Sequence, residues 1–123
     1  MVLGWKKRER RRHPRFDVMM RVRGQLVTVD TPVMVHDLSR SGFSMVSSIA
    51  FDPGETLDFE LESEDGATVG VSARAMHTRP LADAPGLHLS GFMFVPGRLT
   101  GDVPQPLIDE LIATVAGPEA KFT

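Results

Sequence analysis

The sequence contains no cysteine, only eight aromatic residues (seven Phe and Trp5), and no long apolar run. Without cysteine there is no disulfide framework and no thiol chemistry, a usage that fits a reducing compartment. Nowhere do about 18 apolar residues follow one another, the minimum for a bilayer-spanning helix. The apolar start, Met1 to Trp5, runs directly into charge, so it does not read as a signal peptide. The expectation is a cytoplasmic protein. His13, His36, His77 and His88 lack the spacing of metal ligands, and no zinc site is expected in a chain without thiolates. Neither a glycine-rich phosphate loop nor an acid/base pair stands where catalysis would need it. There are no repeats and no low-complexity tract. These absences argue for a binding module with no catalytic residues and no cofactor, not for an enzyme.

What the chain does have is segregated charge. Its 123 residues carry a net charge of only −2. Residues 1–16, however, hold seven Lys and Arg against Glu9, a balance of +6, while the remainder hold seven basic against 15 acidic groups, a balance of −8. A cationic arm on an acidic body fits a polyanionic ligand, a nucleic acid, an acidic protein or an acidic membrane surface, and equally a solubilising tail.

From residue 18 onward the dominant period is two. Thr56 to Glu62 alternates without a fault, and Val69, Val71, Ala73 and Ala75 repeat the pattern. Val18–Val29, Val33–Leu38, Phe43–Val46 and Leu87–Val95 are further strand candidates, separated by turn signals such as Asp52-Pro53-Gly54 and Glu64-Asp65-Gly66. Six short strands at this spacing predict an all-β antiparallel sandwich or barrel. One helix is predicted near the C-terminus: Leu107, Ile108, Leu111, Ile112 and Val115 share a helical face, Pro104 and Pro106 precede it, and Gly117-Pro118 stops it. The division expected is a flexible basic arm over residues 1–7, a domain over 8–116 that includes the helix, and a tail over 117–123.

Two short patterns bear on function. Arg11-Arg12-His13-Pro14-Arg15 has an R-x-x-x-R spacing with Arg10 before it, and Asp37-Leu38-Ser39-Arg40-Ser41-Gly42 is a D-x-S-x-x-G turn after a strand. In this order, about twenty residues apart on a β-patterned chain, they resemble the two signature motifs of the PilZ domain. Leu87 to Phe94 is similar to that family's late strand. The resemblance covers roughly residues 8–116 and implies a six-stranded antiparallel barrel with a C-terminal helix that senses the bacterial second messenger cyclic di-GMP. It also implies that Arg11 and Arg15 are the motif arginines, and that Arg10 resembles the basic residue of members taking an intercalated dimer, hence one or two dinucleotides per chain.

The residue chemistry agrees with that ligand. The guanidinium fork donates two hydrogen bonds to phosphate or to guanine O6 and N7, and its face stacks on a base. Along an extended arm, which Pro14 favours, side chains four apart point to one side. Asp37 offers an acceptor for guanine N1 and N2. Ser39 can donate to phosphate or cap the turn. Gly42 permits a positive φ and a close approach of ligand to backbone, although Asp-x-Ser followed by Ser-Gly is also how an ordinary strand-ending turn reads. The expected ligand-binding set is Arg10, Arg11, Arg15, Asp37, Ser39 and Gly42, and the output would pass from the ordered arm to an unidentified effector protein. Nucleic acid is not the expected partner, because the body is acidic and a stacking platform needs exposed aromatics.

Overall fold

The computed structural model describes residues 15–18, 21–27, 31–97 and 100–116. Seven strands precede one helix: β1 (Phe16–Asp17), β2 (Val22–Leu26), β3 (Thr31–Leu38), β4 (Gly42–Ser47), β5 (Thr56–Ser63), β6 (Thr68–Pro80), β7 (His88–Val95) and α1 (Gln105–Ala116). They form one antiparallel sheet in the order β1-β3-β2-β5-β6-β7-β4, and a further β3–β4 pairing closes it. Six strands thus make a closed barrel, as predicted, with β1 as a short addition. Closure leaves no long edge open to other chains.

The strand expected from Val18 to Val29 is observed as the shorter β2, which begins at Val22, while β1 lies before Val18. Val18 is buried, and its carbonyl accepts from the amides of Arg21 and Val22, a tight turn that separates β1 from β2. β1 and β2 both lie along β3, which receives Phe16 opposite Leu38 and Arg23 opposite Met34. β3 itself is bulged between Val35 and Asp37, so His36 is the extra residue there. A bulge bends its strand and raises the local twist, and this one lies beside the signature turn.

Alternation carries the core. Val33, Val35, Phe43, Met45, Phe59, Leu61, Val71, Ala73, Phe92 and Phe94 point inward and are buried. Phe43 stacks on Phe92 with ring centroids 5.4 Å apart, and Phe59 meets both edge-on at 5.2 and 5.0 Å. Five of the eight aromatics are thereby committed to the interior, Phe51 being the fifth. On α1, Ile108, Leu111, Ile112 and Val115 are buried against the barrel. Leu107 departs from the predicted face and is 48% exposed; the buried stripe needs only the i, i+3, i+4, i+7 set that begins at Ile108.

Candidate functional site

The β1–β3 ladder sets the site. Pairing Asp17 with Asp37 and Phe16 with Leu38 fixes the end of the basic arm alongside the start of the turn. Arg15 Nη1 then donates to Asp37 Oδ1 at 3.0 Å, across 22 residues of sequence. The pair is partly exposed, 30% for Arg15 and 21% for Asp37. The second carboxylate oxygen of Asp37 lies 3.4 Å from His36 Nδ1. A residue from each motif therefore meets on the outer surface of the barrel. Arg10 and Arg11 lie outside the described residues, as do Arg12 and the rest of the arm.

Ser39 has a different place from Asp37. It is buried, its amide donates to the Gly42 carbonyl at 2.8 Å, and its Oγ accepts from the amides of Ser41 and Gly42 at 3.3 and 3.2 Å. Of the two roles open to it in the sequence, capping the turn is the one this geometry performs. Gly42 corrects the expectation of a positive φ: the glycines in that region are Gly54, Gly66, Gly86 and Gly101, all at turns. Its absence of a side chain serves a close approach within the chain itself. A Cβ at Gly42 would fall on the carbonyl oxygen of Phe92 in β7 and stand 3.1 Å from the Cα of Met93. The glycine lets the turn seat against β7, where the Phe94 amide donates to the Ser41 carbonyl at 2.9 Å.

From Asp37 an outward-facing row continues across the sheet. Asp37 is opposite Ser44, Ser44 opposite Gly91, and Gly91 opposite His77. The His77 ring lies over Gly91, whose missing Cβ would come within 2.7 Å of the imidazole Cε1. The Ser44 hydroxyl is buried and, among the described residues, has no hydrogen-bond partner. Exposed Met34 and Met93 flank this row. The row carries one carboxylate, that of Asp37, beside the Arg15 guanidinium. The far side of the barrel is acidic: Asp58, Glu60 and Glu62 face outward on β5, with Glu62 paired to Arg23 at 3.0 Å.

Sequence reasoning missed one member of the turn, Arg40. Its Nε donates to Asp109 Oδ1 at 2.7 Å and its Nη2 to Oδ2 at 3.0 Å, a two-point grip on α1. That grip, by hydrogen bond first and by charge second, holds the Arg40 pKa above its ordinary value. Gln105 Nε2 adds donors to the Arg40 carbonyl and to Asp109 Oδ1, both at 3.1 Å. Nothing in the sequence signals a partnership spanning 69 positions. Among the described residues no group of three or more His, Asp or Glu side chains is placed to hold a metal ion. Also among them, no helix is long and apolar enough to cross a membrane.

No curated protein matches the chain. Among solved structures, the fold is similar to the Bacillus subtilis inhibitor of motility MotI/DgrA (TM-score 0.72, 14% identity, covering 90% of this chain and 51% of that one). It is also similar to Escherichia coli YcgR solved with c-di-GMP (TM-score 0.65, 14% identity, 88% and 45%). The isolated PilZ domain of YcgR, again with c-di-GMP, superposes with a TM-score of 0.61 at 15% identity, over 88% of this chain and 90% of that one. The chain thus spans about half the length of the MotI and full YcgR chains and nearly all of the excised domain. The family model for the PilZ domain matches residues 9–103, most of the chain, and the protein belongs to the PilZ domain family.

Proposed function

We propose that this chain is a receptor for cyclic di-GMP, held between the arginines of the arm and the turn Asp37–Gly42. The observation that carries the reading is the Arg15–Asp37 contact, which brings the two signature motifs together on one outer face. Arg11 and Arg15 would grip the phosphodiesters and stack on guanine, and Asp37 would accept from guanine N1 and N2. Ser39 and Gly42 act one step back, by holding the turn that aims Asp37. The solved complexes of YcgR with c-di-GMP, on the same fold, support the choice of ligand. The signal would leave through residues 8–15. On composition alone, cationic with few apolar groups, this stretch would depend on two phosphates for the charge that orders it. The ordered arm beside Asp37 would then be the surface an effector protein reads.

Isothermal titration with cyclic di-GMP, with GMP and the linear dinucleotide as controls, tests the receptor role. Saturable binding of the cyclic ligand alone is expected, at two dinucleotides per chain with Arg10 intact and towards one in Arg10→Leu. No binding would overturn the reading. A ratio of one in the unaltered protein would remove only the role of Arg10. Hydrogen exchange tests the output: amides from Arg8 to Arg15 should become protected on adding ligand while the strands, β1 included, change little.

A further inference from the structure

The turn is held from two sides. Asp37, at its start, bonds to the arm through Arg15, and Arg40, in its middle, bonds to α1 through Asp109. The second hold is the more extensive. Two guanidinium nitrogens meet two carboxylate oxygens at 2.7 and 3.0 Å, and Gln105 ties both the Arg40 main chain and the same carboxylate. Planar two-point pairs of this kind fix orientation as well as distance. Asp109 is itself fixed, because its neighbour Ile108 and the following Leu111, Ile112 and Val115 are buried in the core. Shifting the Arg40 main chain would therefore strain either the helix seat or the pair. Arg40 is one residue from Ser39, whose hydroxyl holds the amides of Ser41 and Gly42.

We infer that the Arg40–Asp109 pair, with Gln105, is a latch that makes α1 a positioning element of the ligand turn, so that occupancy of the turn and docking of the helix reinforce each other. The inference rests on the receptor reading for its ligand and on the latch geometry for its mechanism. Linkage makes the coupling reciprocal: whatever helix docking adds to ligand affinity, the ligand adds to helix docking. The outward side of α1, with Leu107, Glu110, Ala113 and Thr114 exposed, becomes a second place where occupancy is felt, apart from the arm.

The test is a double-mutant cycle read by cyclic di-GMP titration and by hydrogen exchange. Arg40→Ala and Asp109→Ala should each weaken binding roughly 5- to 20-fold. The double variant should be no weaker than either single one, because both remove the same interaction. The exchanged pair Arg40→Asp/Asp109→Arg should recover most of the affinity. Arg23→Ala, which removes an exposed ion pair between β2 and β5, is the control and should bind as the unaltered protein does. Without ligand, the Ser41 and Gly42 amides should exchange faster in Asp109→Ala, with Val71 and Phe92 unchanged. With ligand, α1 amides should slow in the unaltered protein but not in Asp109→Ala. Normal affinity in the single variants, additive losses in the double, or turn amides indifferent to Asp109 would overturn the latch. Failure of the unaltered protein to bind cyclic di-GMP would remove the receptor reading, and the turn amides of Asp109→Ala would then decide the latch alone.

Discussion

Gly42 and Asp37 sit five residues apart in one turn, yet substitution should affect them in opposite ways. A side chain at Gly42 must displace the β7 main chain at Phe92 and Met93, which cannot swing aside as a flexible side chain would. Gly42→Ala is expected to cost about 2–3 kcal/mol of stability, the upper range for overpacking, seen as a lower urea midpoint with binding lost only in proportion to unfolding. Asp37→Ala removes a partly exposed ion pair, worth at most about 1 kcal/mol, so its midpoint should barely move. Its affinity for cyclic di-GMP should instead fall roughly 10- to 150-fold, the range for losing about 1.5–3 kcal/mol of charged hydrogen bonding. Arg15→Ala should match it. If Asp37→Ala unfolds the domain while Arg15→Ala binds normally, the turn is architecture and nothing more. At this scale the motif spacing singled out Arg15 and Asp37, and the fold brings those two into contact. Arg15 and Asp37 were legible because motif spacing is a sequence property. The reason for Gly42 is an interstrand distance that appears only once Phe92 lies opposite Phe43. Arg40 was illegible, since its partner is chosen by how a helix docks.

The strands were legible wherever alternation ran uninterrupted, and β3, β4, β5 and β7 begin and end within about two residues of their predicted limits. The failures lie where pleat gives way to something local. Val18 is apolar and buried, so the expected strand starts there, four residues before β2 does, and β1 was not foreseen as a separate strand. β6 runs on to Pro80, beyond the last alternating residue, because a bulge between Ala75 and His77 resets its inward phase. The β5–β6 hairpin was signalled by Glu64-Asp65-Gly66, and its chemistry yields a pH prediction. Asp65 accepts from Ser63 Oγ and from the Ala67 amide at 3.2 Å, and these bonds, the Ser63 one foremost, hold its pKa below the usual 3.8. A carboxylate with a depressed folded pKa stabilises the hairpin above its unfolded value and loses that contribution as pH falls through the folded one. Asp65→Asn should therefore be less stable than the parent at pH 7, by a small margin for so exposed a group. The gap should close on acidification, which urea midpoints at pH 7 and near pH 3 would show. A gap that widens in acid would reverse the sign assigned here.

For the whole molecule, the fold presents an acidic outer face on β5, and the sequence places a cationic stretch before Arg15. Salt separates the two kinds of polyanion such an arm could meet. Duplex DNA neutralised at some 5–6 phosphates would lose affinity steeply with salt through counterion release. A ligand with two phosphates and no condensed ion atmosphere should lose little. Titrations of both from low to physiological salt should give a shallow slope for cyclic di-GMP and negligible DNA binding at the upper end; tight DNA binding there would count against the receptor reading.

The order in which the barrel is wound has a consequence for when the protein becomes competent. β4 is bonded to β3, its neighbour in sequence, and to β7, which lies more than forty residues further on. The turn that joins β3 to β4 is therefore written early and completed late. On the ribosome, Asp37 to Gly42 would emerge with one wall missing, and the Phe92 main chain that Gly42 rests upon arrives only after the long β6. Synthesis outlasts local hairpin formation by orders of magnitude, so half-made chains would carry both motifs without the β7 wall on which the turn is seated. On the receptor reading, a nascent chain would not answer the messenger, whereas a finished barrel would.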